Sequence, residues 1–417
     1  MTEGPAYEGE PGLSLTRSVV GVNPARRLVV LSALRWVPAG LVIPVLVLML
    51  GARGLSLAQT GQMMALYSVV TLSLELPTGG LADAWGRRPV IVASAVLQAL
   101  SLLLLGVLGS VPFIMLAMVL MGTSRALSSG PVEAWYVDAM HGLGHEDVES
   151  GLAHGQIAES LALGGAAVIG GLLPRSASGL PSTGTGVITL SVPFLVAAVA
   201  ALVHAVVAAL LLTGEKSARG SVRQTVGQAV GIAVKQPPIR RLMIVAACLG
   251  LVLAGVELLA PNRFAELAGS ASAGAALFGF LTAAAFAAAA VGAALSTRLP
   301  GARALVGAGA FLVMGVLVLG LALAVVGGAA AAYLLLYVAI GVQGPVMAGL
   351  LHARVTSEVR STMMSVESLA LQAGGAVSSV IVGAIVSRIN LLAGLSVVTA
   401  TAVLAAVLLV RDRRHAV

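Results

Sequence analysis

Charged and aromatic residues are scarce in this chain of 417 residues: Asp, Glu, Lys and Arg make up 10% of it and aromatic residues 4%. A soluble domain normally carries about 25% charged residues and could not bury an apolar share of 58%. Disordered chains are poor in apolar residues and rich in charge, so disorder is excluded too. The single cysteine, Cys248, lies in an apolar run and excludes a disulfide scaffold. With a mean hydropathy of +1.02, the composition predicts a polytopic membrane protein.

The apolar residues gather into segments long enough to cross a membrane, since about 30 Å of hydrocarbon requires about 20 helical residues. Twelve spans are predicted, at 28–50, 59–82, 89–110, 112–135, 153–173, 187–213, 239–261, 275–296, 303–325, 329–351, 362–386 and 390–410. Residues 1–26 are polar and lack the apolar core of a signal peptide, so no removable signal is expected.

Basic residues concentrate in the loops on one side of the predicted membrane. With the N-terminus in the cytoplasm, few of the 24 Lys and Arg residues fall in outer loops: Arg53, Arg175, Arg263 and Arg388. Arg35 and Arg125 lie inside spans, and the remainder fall in cytoplasmic segments. The positive-inside rule therefore predicts that both termini are cytoplasmic. The same distribution accounts for the pI of about 10.3 without a nucleic-acid partner.

The second half of the chain repeats the first. The sequence Glu-Ser-Leu-Ala-Leu at 159–163 recurs at 367–371, and Gly-Pro-Val at 130–132 recurs at 344–346. Parallel six-helix repeats are the plan of one large transporter class, whose substrate site lies between the halves. The predicted organisation is a cytoplasmic tail at 1–27, a six-helix bundle at 28–213, a cytoplasmic linker with an amphipathic helix at 214–238, a second six-helix bundle at 239–410 and a cytoplasmic tail at 411–417.

The turn between spans 2 and 3 carries a motif rich in glycine and charge. Residues 79–88 read Gly-Gly-Leu-Ala-Asp-Ala-Trp-Gly-Arg-Arg, including Gly79, Asp83, Gly86, Arg87 and Arg88. Glycine permits the tight turn, an acid can face the positive end of a helix, and arginines suit the inner membrane surface. The alternative without a functional role is a basic loop that only sets the membrane topology.

This motif resembles the signature loop of the major facilitator superfamily, G-x-L-A-D-R-x-G-R-R, with Ala84 in place of the usual arginine. The resemblance extends over essentially the whole chain, from span 1 to span 12. It implies an all-α polytopic membrane protein with 12 transmembrane helices in two pseudo-symmetric six-helix bundles. It also implies a location in the bacterial inner membrane, as for bacterial members of the family. It also implies that the loop latches the halves on the cytoplasmic side and that its arginine pairs with Asp138.

Ionisable residues inside the spans share a depth near the cytoplasmic side. The set comprises Arg35, Glu75, Arg125, Glu133, Glu159 and Glu367. Each costs at least about 2.5–3.5 kcal/mol on insertion scales, so such groups are expected to face the bundle interior and to pair. Glu75 is expected to pair with Arg125 or Arg35. Glu257 with Arg263 fits either an outer-gate pair or a plain helix-end charge.

These residues have both functional and structural interpretations. Arg35 and Arg125 are candidates for contact with an anion, and the alternative is an ion pair that holds helices together. Glu133 and Glu159 are candidates for proton coupling, because alternating exposure of a carboxylate to a dry cavity and to water could load and release a proton. Glu367, the counterpart of Glu159 in the repeat, belongs to the same candidate set.

The glycines of span 5 bear on the direction of transport. Gly164, Gly170 and Gly171 lie in a run similar to the helix 5 pattern of drug–proton antiporters, G-P-x-x-G-G, with Ala167 where the proline belongs. The helix 4 pattern of those antiporters, an arginine followed four residues later by glycine, is matched less well, since Gly130 is one residue too far from Arg125. Export is therefore suggested. The glycines could equally serve close helix packing.

The sequence contains no P-loop, nucleophile elbow or metal-ligand spacing, so neither an enzyme nor a cofactor or metal is expected. The prediction is a monomeric secondary transporter that works by alternating access and couples protons to the export of small amphipathic organic compounds, such as drugs or a metabolite. The alternative is proton-coupled uptake of a small organic anion or nutrient.

Overall fold

A computed structural model describes residues 23–145, 147–176, 188–212, 231, 235–355 and 357–413. The helices, numbered by span, are α1 (Pro24–Ala52), α2 (Leu57–Trp85), α3 (Arg87–Val107), α4 (Val111–Gly142), α5 (Glu149–Ser176), α6 (Thr189–Leu211), α7 (Pro237–Ala268), α8 (Ala271–Ser296), α9 (Arg303–Gly320), α10 (Val326–His352), α11 (Ser357–Arg388) and α12 (Leu391–Arg413). Most of the predicted linker, 214–238, lies outside the described residues, as do residues 1–22 of the N-terminal tail, and the domain boundaries stay a prediction.

The helices match the twelve predicted spans. Eleven stretches of the described residues are long and apolar enough to cross a membrane, and α2 is a further helix of 29 residues. Successive helices cross in opposite directions. We therefore call the side with Pro24 and Arg413 the terminal face, where α2, α4, α8 and α10 also end, and the opposite side the distal face, where α1, α3, α7, α9 and α11 end.

Two helices are broken at residues whose backbone chemistry demands it. α1 is interrupted by a turn at 43–45, where Pro44 lacks an amide hydrogen and its ring clashes with the preceding turn. α4 is interrupted at Gly130, which adopts a φ of 91° that favours glycine, and Pro131 then opens the second segment. Both breaks bend helices that line the space between the two halves.

Helix pairing repeats between the N-terminal half (α1–α6) and the C-terminal half (α7–α12). The pair α1–α5 has its counterpart in α7–α11, α1–α6 in α7–α12, and α3–α6 in α9–α12. Glycines permit a close approach of the helices in the pair α1–α5 and in its counterpart α7–α11. A Cβ added at Gly170 would collide with the carbonyl of Leu41, and one at Gly374 with the carbonyl of Ala247. Two pseudo-symmetric six-helix bundles therefore result, as predicted.

The halves meet along two antiparallel helix pairs, α2–α11 and α5–α8. Their closest approaches lie toward the distal face, where the amide of Ala58 donates to Ser387 Oγ at 2.9 Å. A Cβ added at Gly171 would collide with the carbonyl of Ala275. Nearer the terminal face the fit is looser, since a Cβ at Gly164 would meet Ala283 Cα at an ordinary 3.5 Å. The halves are thus packed tightly together at the distal face.

Candidate functional site

A cavity of about 460 Å³ lies between the two halves. This volume falls in the range of small-molecule sites, which are apolar with a few placed polar groups. The polar and aromatic wall residues from the N-terminal half are Arg35, Trp36, Tyr67, Ser68, Gln98, Ser124, Arg125 and Ser128. Those from the C-terminal half are Glu257, Phe278, Thr282, Phe286, Tyr333, Tyr337, Gln372 and Ser379. Both bundles therefore contribute to the cavity wall.

Two predicted residues, Arg35 and Arg125, lie on the N-terminal wall around one indole ring. The guanidinium carbon of Arg125 lies 4.8 Å from the ring centroid of Trp36, and that of Arg35 lies 5.7 Å from it. Such cation–π contacts hold a cation without neutralising its charge. Arg35 also donates from Nη1 to Glu133 Oε1 at 3.2 Å, whereas Arg125 pairs with no carboxylate that the structure describes.

Glu133 and Glu159 share the neighbourhood of Arg35. Glu159, half-buried on α5, lies within electrostatic range of both Arg35 and Glu133. The second oxygen of Glu133, Oε2, is buried without a hydrogen-bond partner among the described residues, as is Nε of Arg35. Two carboxylates thus share one guanidinium whose hydrogen-bonding capacity is only partly used. This arrangement brings together three of the residues that the sequence predicted to share a depth.

Glu75 has a different partner from the one expected. Its carboxylate accepts a hydrogen bond from Gln372 Nε2 at 2.8 Å and a longer one from Ser129 Oγ at 3.4 Å. The predicted pairing with Arg125 or Arg35 is wrong, because α2 packs on α11 and Glu75 reaches across that contact. Glu75 therefore links the two halves.

Glu257 lies on the cavity wall, exposed to the cavity, which the sequence did not indicate. Span 7 was predicted to end at residue 261, but α7 continues to Ala268 through Pro261. Glu257 consequently lies nearer the middle of its helix than expected. The suggested gate pair with Arg263 is absent, because Arg263 Nη1 binds Glu266 Oε2 at 3.0 Å. The position of Glu257 was not predicted because the apolar stretch of the sequence ends before the helix does.

The remaining predicted residues lie away from the cavity. Glu367 is half-buried on α11 and forms no ion pair or hydrogen bond with the residues described here. On α5, Gly170 packs on α1, whereas Gly164 and Gly171 face α8 of the other half. The repeat therefore places Glu159 and Glu367 on equivalent helices, α5 and α11, in different surroundings.

The signature loop joins α2 to α3 at the terminal face. Gly86 adopts a φ of 92° at the turn, and the Nη1 of Arg87 forms an ion pair with Asp138 Oδ2 at 2.5 Å. This pair lies within the N-terminal half, and Arg88 is exposed. Gly79 and Asp83 are in the last two turns of α2, and their contacts lie outside the described part of the structure.

The profile of the Major Facilitator Superfamily matches residues 28–351. Together with the two six-helix bundles and the cavity between them, this match shows that the chain belongs to the major facilitator superfamily of secondary transporters. It is a multi-pass membrane protein.

One curated relative is an uncharacterized MFS-type transporter of Bacillus subtilis (strain 168), YxaM, which is 31% identical over 104 residues. The match covers 25% of this chain and 26% of that relative, so it spans about a quarter of the relative's length. It therefore supports the family and carries nothing about a substrate.

Solved transporters share the fold. The nucleoside transporter NupG superposes with a TM-score of 0.77 at 12% identity, covering 94% of this chain and 100% of that one. A bacterial homolog of the human lysosomal transporter Spinster gives 0.73 at 15% identity over 97% and 98%. The peptide transporter POT in complex with alafosfalin gives 0.70 at 14% identity over 94% of each chain. At these identities the likeness confirms the predicted fold and leaves the substrate open.

Proposed function

We propose that this transporter works by alternating access and exports small amphipathic organic compounds in exchange for protons. The observation that carries the proposal is the cavity between the two halves. Its wall combines apolar side chains such as Met64, Met118, Met121 and Phe286 with a few charged groups. Methionine side chains adapt to differently shaped ligands, which suits a permissive site. Packing of the halves at the distal face supports a state that receives its substrate from the terminal face.

The proposed export assigns the terminal face to the cytoplasm. Arg87, Arg88, Arg240, Arg241 and Arg303 all lie at helix ends on that face. Basic residues flanking spans favour the cytoplasmic side of an inner membrane. With this orientation, the distal face is extracytoplasmic. Rocking of the two halves would then close the cavity to the cytoplasm and release the compound outside.

The proton route in this proposal runs through Arg35, Glu133 and Glu159. With both carboxylates ionised, these two acids and the cations Arg35 and Arg125 carry no net charge. A proton on Glu159 would leave these four residues with one net positive charge. It would also weaken the attraction between Glu159 and Arg35. This added positive charge would disfavour a cationic group of the compound in the same cavity, so the proton and such a compound would oppose each other's binding, as exchange requires.

A second candidate function is uptake of a small organic anion. The observation that favours it is Arg125, a guanidinium on the cavity wall with no carboxylate partner among the described residues. Guanidinium groups bind carboxylates and phosphates through two parallel hydrogen bonds. The two functions differ in whether expression of the protein lowers or raises the amount of compound inside cells.

Proton movement in inside-out vesicles tests the proposal. With a pH-quenched dye and a panel of amphipathic cations, anions and neutral compounds, export predicts dequenching when a substrate is added. Glu159→Gln should abolish this response and spare downhill exchange. Glu149→Gln, an exposed residue at the start of the same helix, is the matched control and should respond like the wild type. Absence of dequenching with every compound, in vesicles that contain folded protein, would contradict proton-driven export.

A further inference from the structure

Two opposite charges on the cavity wall have no ion-pair partner among the described residues. Arg125 on α4 and Glu257 on α7 both line the cavity, and neither forms an ion pair with a residue that the structure describes. They belong to different halves. Tyr67 on α2 also lines the cavity, and its phenol lies within electrostatic range of both charges.

Unpaired charges are expensive at this depth in a membrane. Each one left without a partner loses its hydration without a compensating contact. The protein offers Arg125 the indole face of Trp36, which holds the cation in place and leaves its hydrogen-bond donors available. Glu257 has no such contact with a cation in the part of the chain that the structure describes. Both groups are thus arranged to bind something that enters the cavity.

The surroundings of Glu257 indicate what it would bind. Tyr333 and Tyr337 on α10 lie within electrostatic range of its carboxylate, and their rings are 5.0 Å apart. The ring of Phe278 packs edge-on against Tyr333, with 5.7 Å between centroids. A carboxylate beside several aromatic faces suits a protonated amine, which gains from the charge and from the rings.

We infer that the cavity binds zwitterionic amphiphiles, with an acidic group on Arg125, a protonated amine on Glu257 and a compact apolar body between them. This inference rests on the transport function proposed above and narrows its substrate class. Because the two contacts lie on opposite halves, such a ligand joins the N-terminal and C-terminal bundles through its own charges. A molecule with one charge satisfies only one wall and leaves the other group unpaired.

Binding to the purified full-length protein tests this inference. Of the three tryptophans, Trp36 lies on the cavity wall, so replacing Trp85 and Trp135 with Phe leaves it as the fluorescent reporter. Four compounds with the same eight-carbon chain are compared: ω-aminooctanoate, octylamine, octanoate and octanol. The zwitterion should bind most tightly, by about tenfold over either singly charged compound, which is the effect of one charged hydrogen bond.

Variants assign each pole of the ligand. Arg125→Gln should reduce the affinity for ω-aminooctanoate to the affinity that the wild type has for octylamine. Glu257→Gln should reduce it to the affinity that the wild type has for octanoate. Arg125→Lys and Glu257→Asp keep the charges and should retain the preference, which separates this effect from misfolding. The exposed residues Arg388 and Glu149 provide matched controls, Arg388→Gln and Glu149→Gln, that should bind like the wild type.

Two outcomes overturn one proposal without the other. Equal binding of all four compounds, or a zwitterion preference that persists in both Gln variants, would overturn the assignment of the two poles. Binding in the expected order by a protein that moves neither substrate nor protons in vesicles would contradict the transport proposal and leave the site in place.

Discussion

Arg53 and Arg263 occupy equivalent positions in the two halves, each binding the distal end of the third helix of its own bundle. Arg53 donates to the carbonyls of Leu108 and Gly106 at the end of α3. Arg263 donates to the carbonyls of Leu321 and Leu323 at the end of α9, both at 3.0 Å. The last carbonyls of a helix have no partner within it, and a basic side chain also favours the negative end of the helix dipole. The repeat of the chain thus extends to single hydrogen bonds.

This equivalence predicts a loss of stability when either arginine is replaced. Arg53→Gln and Arg263→Gln should each lower the free energy of unfolding by about 1–3 kcal/mol, because carbonyls at a helix end, most of them partly buried, lose a charged donor. Thermal unfolding of the purified protein in detergent measures the change. Arg388→Gln removes an exposed arginine from the same face and should leave the melting temperature unchanged. Equal melting temperatures for all three variants would show that the hydrogen bonds from Arg53 and Arg263 to the helix ends contribute nothing to stability.

The ion pair of Arg87 and Asp138 predicts a charge-exchange result. The Asp138 side chain is 55% exposed, so the pair should contribute at most about 1 kcal/mol to stability. If the pair positions the signature loop for movement, Arg87→Asp and Asp138→Arg should each reduce transport far more than they reduce stability. The combined variant Arg87→Asp/Asp138→Arg should recover transport. A combined variant as inactive as the single ones would remove the positional role.

The sequence predicted the spans well because crossing a membrane imposes a length and an apolar composition that can be counted. The same rule failed at Glu257, since Pro261 did not end α7 and the helix is longer than its most apolar stretch. The expectation that charged groups within the spans pair with one another holds for Arg35 and Glu133, and Glu159 lies close to both. Polar groups that avoid lipid turn toward the bundle interior, where these three residues meet.

Partners were harder to predict than depth. Glu75 pairs with Gln372, which carries no charge and lies almost three hundred residues away in the chain, so no spacing rule connects them. The capping roles of Arg53 and Arg263 were missed for a related reason. Their targets are backbone carbonyls, which every residue has and which leave no mark in the sequence. Pairing depends on which helix faces meet, and that is set by the tertiary packing.

The hydrogen bond between Glu75 and Gln372 predicts a measurable coupling between the halves. Gln372→Leu removes the donor and should lower the free energy of unfolding by about 1.5–3 kcal/mol, since the carboxylate is left half-buried without it. Adding Glu75→Leu should restore part of the loss, because the unpaired charge is then gone. A double-mutant cycle built on thermal unfolding measures this coupling. Additive effects of the two replacements would contradict a direct interaction across α2 and α11.

The contact between α5 and α8 predicts how the distal face is held closed. A Cβ at Gly171 would collide with the backbone of Ala275, so Gly171→Ala should push the halves apart at this point. Gly165→Ala is the matched control on the same helix, because an added Cβ there meets nothing. Opening of the distal face can be followed with a single cysteine, Ser379→Cys, after the native cysteine is removed by Cys248→Ser. Ser379 is suitable because it is buried and lies on the cavity wall.

An impermeant maleimide added from the distal side should label Ser379→Cys faster in Gly171→Ala than in Gly165→Ala. A shift of 1 kcal/mol toward the open distal face would raise the rate by about fivefold. The effect follows from geometry: a backbone carbonyl cannot rotate away as a flexible side chain can, so the helices themselves must separate. Equal labelling of the two variants would mean that contacts other than the one at Gly171 keep the distal face closed.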